Sequence, residues 1–212
     1  MILNCQQLFE ATENPKINSI TLDLLREYYE TYLHPFIYQY EITEETGGES
    51  KTRTIELRFD QNNFCHLLGL EDIVKRNVRD ASGYKSQAGW DNIKLGNIDF
   101  ADLKSKNQRN FKDNKSRFVF FYLIPQLIDA PKGVLFDPDK VGRPTRINCE
   151  LLFYDELQKA HVHVGIKYDA DLGYYIPKTL LIEKNAGTKY LDKQTEIIVT
   201  KIAKTELEDD KN

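Results

Sequence analysis

Histidine titrates near neutrality, so it carries protons or ligates metals, and the chain has four. His66 stands in NNFCHLLGL (62–70), after the alternating run TRTIELRFD (52–60), with Cys65, Leu67 and Leu68 beside it and Gly69 close behind. The pattern reads as a strand-to-helix turn that rings a titrating group with apolar side chains. The plainer reading is a buried histidine tied to a backbone carbonyl. His161 and His163 lie two apart in KAHVHVGIKYD (159–169). Alternation puts them with Gly165 and Lys167 on one face, and puts Val162, Val164, Ile166 and Tyr168 on a core-facing other. The histidine face is then either solvent or a cleft. An HxH pair suits a metal, but no cysteine or carboxylate stands at matching spacing, so no metal is expected. Lys178 and Thr179 follow Pro177 in YYIPKTLLIEK (174–184). Proline removes a ladder donor, which predicts an edge strand or a bulge. Only a bulge would bring Lys178 and Thr179 off opposite faces.

Composition narrows the chemistry. The 212 residues carry a net charge of −4, which is not the footprint of a protein that coats nucleic acid. The charge is uneven: positions 75 to 117 hold eleven Lys and Arg against five Asp. That basic middle predicts one wall of a positive groove leading to His66, although a charge run is usually a solvated face. Cys5, Cys65 and Cys149 are odd in number and far apart, which predicts free thiols in a reducing, cytoplasmic compartment. The N-terminus lacks a basic, apolar leader. The longest apolar run, FVFFYLIPQLI (118–128), is too short to span a bilayer. No GxxxxGK[ST], GxGxxG, HExxH or GxSxG motif occurs, which argues against a P-loop, a dinucleotide fold, a zincin or a hydrolase elbow. No cofactor is expected.

The elements that must position these residues follow from periodicity. Asn4 and Gln7 form a capping pair for a short helix. Leu22, Leu25, Tyr29 and Leu33 share one face of a second helix, which His34-Pro35 ends. Residues 36–43 and 52–59 alternate around the glycine-bearing EETGGES, predicting a hairpin. Residues 82–97 read as a long irregular loop. Helices are expected over 99–110 and 116–129, although Pro125 should kink or end the second. Four strand-like runs follow, at 146–156, 159–169, 174–184 and 195–204. The fold class is α+β, with N-terminal helices and a hairpin before a mostly antiparallel sheet of about four strands. We expect one domain over 1–204 and an acidic, disordered tail over 205–212.

An alternating strand ending near HLLGL, a later RFVFFYLIPQLI, then HVHVGIKYD and YYIPKTLLIEK with a following tyrosine resemble the phage-type nuclease-like domains of the Barnase–EndoU–colicin–RelE fold, in particular the fourth phage-type family, found in phages and mobile elements of Gram-positive bacteria. The resemblance covers residues 1–204. It implies a fold like the one above and, by analogy, metal-independent RNA cleavage. In that reaction the 2′-OH attacks the adjacent phosphate, a base takes its proton, an acid protonates the leaving 5′-oxygen, and cations stabilise the phosphorane. On that reading His66 and His163, with Lys178 and Thr179, are the catalytic candidates. Arg58, His161, Lys167 and Tyr190 are the substrate-binding candidates. RNA is then the expected partner. The alternative is a non-catalytic protein that uses the same fold to bind a host or cognate protein. An assembly factor, marked by a large apolar patch, is a third reading.

Overall fold

The computed structural model describes residues 1–142, 145–184 and 187–207. The chain divides into two compact units. One comprises Met1–Tyr32 with Asp60–Ile124, and the other comprises Leu33–Phe59 with the chain from Pro125 onward.

The first unit is helical. It holds α1 (Cys5–Phe9), α2 (Leu22–Tyr32), α3 (Gln61–Leu68), α4 (Leu70–Val74), α5 (Ser86–Lys94), α6 (Phe100–Lys106) and α7 (Gln108–Phe120). The Asn4–Gln7 capping box opens α1, and the Thr21 hydroxyl accepts from Leu24 N–H at the start of α2. An aromatic cluster forms the core. Phe64 lies edge-on to Tyr29, Trp90 and Phe121 at ring distances of 5.3, 5.3 and 5.6 Å. Residues 82–97, expected as a loop, instead form a 3₁₀ turn and α5. Gly89, which reads as a loop residue, is a packing requirement. A Cβ there would stand 2.6 Å from Cys65 Sγ and 2.8 Å from the Tyr84 backbone. The helix expected over 99–110 is two helices, because Asn107 caps a new one by accepting from Asn110 N–H. A 3₁₀ turn over Phe121–Leu123 ends α7, and α8 (Ile124–Asp129) begins there. Pro125 lies in the first turn of α8, where its missing N–H leaves no helical bond unmade.

The second unit is a closed seven-stranded barrel, not a sheet of about four strands. It comprises β1 (Phe36–Thr46), β2 (Glu49–Arg58), β3 (Lys132–Leu135), β4 (Leu151–Leu157), β5 (Ala160–Asp169), β6 (Tyr174–Lys184) and β7 (Thr195–Glu206). The order is β1-β2-β6-β5-β4-β3-β7, and β7 closes on β1. The four expected strands are present. The hairpin β1–β2 joins their sheet through a short parallel pairing at Leu57 and Tyr175, and the unanticipated β3 bridges β4 to β7. Closure removes the exposed edges an open sheet would keep. Thr205 and Glu206, expected in a tail, complete β7; residues 208–212 of that tail lie outside the described residues.

Tyr40, Phe153, Val162, Val164, Ile166 and Leu180 are buried on alternating positions, and Tyr40 meets Phe153 edge-on at 5.2 Å. A second apolar cluster joins Val134, Phe136, Val141, Cys149, Leu152 and Leu181, with Ile147, Tyr154, Tyr190 and Leu191 packed against it. Its members from β4 and β6 share the face of His163, so that face is covered by the segments on either side of the meander.

The register along β5 and β6 skips one residue. Gly165 pairs with Thr179 and Ile166 with Pro177, so Lys178 is a bulge, as Pro177 led us to expect. Gly165 is packed too closely to carry a side chain without displacing its neighbours. A Cβ there would meet Thr179 Cγ2 at 2.7 Å and Cys149 Sγ at 2.8 Å. We predict that Gly165→Ala lowers stability by about 1–3 kcal/mol, the usual cost of overpacking, read as a lower urea midpoint. An unchanged midpoint would show that Thr179 and Cys149 move aside freely.

Candidate functional site

Five of the candidates, His161, His163, Lys167, Lys178 and Thr179, lie on β5 and β6 in the barrel unit, and a sixth, Tyr190, packs against His163. His163 is fully buried, 0% exposed. Its Nε2 lies 3.2 Å from Glu183 Oε2, yet neither ring nitrogen has a well-formed hydrogen bond. The ring of Tyr190 packs edge-on against it at 5.8 Å, and the rings of Tyr154 and His161 lie 6.2 and 6.1 Å away. Glu183 sits directly across the ladder from His161. Its carboxylate accepts the backbone N–H of Lys189 at 3.2 Å and of Tyr190 at 3.4 Å. These two bonds draw the 187–190 segment back over the strand.

That segment in turn fixes His161, which is half-buried. His161 Nδ1 lies 2.7 Å from the Gly187 carbonyl. A carbonyl only accepts, so Nδ1 carries the hydrogen, and in neutral His161 the Nε2 lone pair is left as the acceptor. Lys189 Nζ donates to the Tyr190 hydroxyl at 2.7 Å, so the phenol keeps its own hydrogen to give. The arrangement therefore presents a proton acceptor, a hydroxyl donor and an ammonium on one covered face.

The other candidates are placed as follows. Lys178 is the half-buried bulge residue, and Thr179 is buried on Gly165, two residues along β5 from His163. Lys167 Nζ donates to Asn148 Oδ1 at 2.9 Å. Arg58 pairs with Glu56 at 2.6 Å and lies over the Tyr174 ring at 4.5 Å. The histidine face of β5 is thus neither solvent nor an open cleft at His163, because the second apolar cluster covers it. Glu183, Lys189 and Tyr154 were missed. Alternation could have found Glu183, which shares the face of Leu181 two residues before it.

His66 belongs to the helical unit. It lies within α3, not at a strand-to-helix turn, and its side chain is exposed while Phe64, Cys65, Leu67 and Leu68 are buried. An amphipathic helix accounts for both facts: the apolar neighbours turn to the core and the histidine turns away. His66 lines a small recess of about 40 Å³ with Cys65, Gly69, Glu71, Asp72, Tyr84 and Lys85. This recess is mixed in charge rather than basic. Lys85 lies 3.9 Å from Glu71, and Lys75 pairs with Asp72. The Cys65 thiol beside it is no nucleophile, since burial pushes its pKa up to about 12. Among the described residues no group of three or more His, Cys, Asp or Glu gathers to hold a metal. No helix there is long and apolar enough to cross a membrane.

The ionisation of the buried pair follows from its surroundings. Desolvation lowers the pKa of His163 and outweighs the nearby Glu183 carboxylate, so His163 is neutral. Burial alone would raise the pKa of Glu183. The His163 contact and the amides of Lys189 and Tyr190 reverse this, so Glu183 stays ionised below the usual carboxylate range. Both shifts have the same sign for stability. The unfolded chain takes up protons before the folded one does, so the contribution is complete above about pH 6.5, the ordinary histidine value, and is lost as pH falls. We predict that the urea midpoint declines from pH 7.5 toward pH 5, and that His163→Gln flattens this decline. A wild-type midpoint that rises toward pH 5 would contradict the assignment.

The phage-Barnase-EndoU-ColicinE5/D-RelE like nuclease 4 family matches residues 26–212. The chain belongs to this family, and its matched region is a nuclease-like domain. No curated protein and no solved structure shows a match.

Proposed function

Taking that membership as the premise, we propose that the chain is a metal-independent endoribonuclease whose phosphate chemistry is carried by the β5–β6 face of the barrel unit. The observation that carries this reading is the orientation of His161. Its Nδ1–H is committed to the Gly187 carbonyl, so Nε2 is held as a base for the 2′-OH. Tyr190, with Lys189 on its hydroxyl, donates toward a phosphate oxygen or the leaving 5′-oxygen, and the Lys189 charge offsets the negative phosphorane. Lys178, lifted out of the ladder by the bulge, is a further cation on β6. His163 was the sequence candidate for direct proton transfer. A general acid must reach the proton's destination, and a fully buried ring serves instead to position Tyr190 and Glu183. Thr179, Lys167 and Arg58 act through the protein groups they already touch. His66 is the exposed histidine of the helical unit, and its own variant tests it separately. Three free thiols suit a reducing, cytoplasmic setting.

The second reading is a non-catalytic protein that binds a host or cognate protein. The complete burial of His163 and the acidic composition favour it.

We predict cleavage of RNA in the presence of EDTA, with a 2′,3′-cyclic phosphate end and a rate that rises and then falls with pH. His161→Ala should cost roughly 10²- to 10⁴-fold, the usual share of general acid–base catalysis. His34 Nδ1 is engaged by the Phe59 carbonyl within the barrel unit, and His34→Ala should leave the rate within a few-fold. Equal loss in His66→Ala would extend the catalytic set to the helical unit. Full activity in His161→Ala would remove this mechanism, and a wild type that cleaves no RNA would leave the binding-protein reading.

A further inference from the structure

Beyond the covered histidine face, the barrel unit carries a concavity of about 490 Å³ lined by Lys140, Val141, Gly142, Lys189, Asp192 and Lys193. Three lysines and one aspartate line it, in a chain whose net charge is −4. Lys140 has an acidic neighbour in Asp137, but at 4.0 Å and with both side chains 40% or more exposed, a pairing that binds little. The concavity is held in shape. Asp137 N–H donates to Gln194 Oε1 at 2.8 Å, and Gln194 Nε2 donates back to the Asp137 carbonyl at 3.0 Å. These two bonds clamp the 137–142 segment to the 189–194 turn. Val141 is buried in the second apolar cluster, and Leu191 packs on it. Lys193 holds a φ of +63°, a left-handed conformation that a side-chain-bearing residue adopts at a cost.

We propose that this concavity is an anion subsite that takes a phosphodiester of an RNA strand next to the one being cleaved. The proposal rests on the nuclease reading for the identity of the strand, and Lys189 supplies the physical link. Lys189 lines the concavity, and its ammonium contacts the Tyr190 hydroxyl, so a bound phosphate is registered against the candidate catalytic face. Lysines suit this role as mobile point charges that neutralise phosphate without reading sequence.

The test uses the full chain and a fluorescein-labelled 2′-O-methyl RNA decamer, which lacks the attacking 2′-OH and is not cleaved. Anisotropy titrations compare the wild type with Lys140→Gln/Lys193→Gln, and with Lys16→Gln/Lys51→Gln as a charge-matched control. The first variant should bind about tenfold more weakly, and its salt slope should shrink by about 0.7, the share of one phosphate contact on a single strand. The control should match the wild type. Equal affinity and slope in the two variants would overturn the subsite. So would calorimetric binding of inorganic phosphate that depends on Lys140 and Lys193 while decamer affinity stays unchanged, which would mark a free-anion site instead. The two proposals fail separately. Lysine-dependent decamer binding by a wild type that cleaves no RNA keeps the subsite and removes the nuclease reading. Cleavage by the wild type with lysine-independent binding does the reverse.

Discussion

The candidate site hangs on one carboxylate. Glu183 is the acid on a strand whose other residues from Leu180 to Ile182 are apolar, and it accepts two successive backbone N–H groups from the segment that follows. Burying a charge is costly unless it is paired and hydrogen-bonded, and the amides of Lys189 and Tyr190 meet that condition. In doing so they set three positions at once. Gly187 O is brought to His161, the Tyr190 ring is laid on His163, and the Lys189 ammonium is turned to the Tyr190 hydroxyl. Without the carboxylate these loop residues would have no common anchor on the sheet.

The same anchor explains why a histidine on the polar side of a strand is dry. Period-two alternation predicts which residues share a face, but it does not say what lies over that face. In an open antiparallel sheet the polar face is solvated. Here Phe136, Val141, Cys149 and Leu191 cover it with a second apolar cluster. His163 then loses water from both sides, and its neutrality follows from desolvation. His161, two residues earlier, sits where the cover thins and remains half-exposed. The two histidines of one HxH pair thus have different chemistry through burial alone.

The sequence patterns carried the local structure further than the closure. The capping pair at Asn4, the hairpin, the bulge after Pro177 and the buried Val162, Val164 and Ile166 of β5 all depend on residues close in sequence and stand as expected, whereas Tyr168, expected on that same core-facing side, is exposed. What failed depended on distant partners. Gly89 reads as a loop because its reason, the sulfur of Cys65 and the backbone of Tyr84, is not visible in its own neighbourhood. His66 reads as enclosed because Cys65, Leu67 and Leu68 flank it, although on a helix those neighbours point elsewhere. Strand β3 has four residues, too few to show a period, yet it lets β7 join the sheet on both sides. Of the site, His161, His163 and Tyr190 were legible as types. Glu183 leaves no motif, because its role is to hold backbone, and only its alternation with Leu181 marks the face it shares with the histidines.

Net charge misleads for a related reason. A chain at −4 should repel a polyanion at long range, and a Debye length of about 8 Å at physiological salt limits how far that repulsion reaches. Within that distance the local set decides. The concavity beside Lys189 is lined by Lys140, Lys193 and one aspartate, and the nearby Glu183 carboxylate is engaged by the amides of Lys189 and Tyr190. In the helical unit the Asp72 and Asp102 carboxylates are engaged by Lys75 and Lys106. Other acids are spent on caps, as Asp99 is on Asp102 N–H and Asp137 on Asp139 N–H. Phosphate chemistry in an acidic protein therefore requires only that a few cations be fixed where few acids follow. The Gln194–Asp137 clamp and the Glu183 anchor provide that fixing through backbone hydrogen bonds, at no cost in added positive charge.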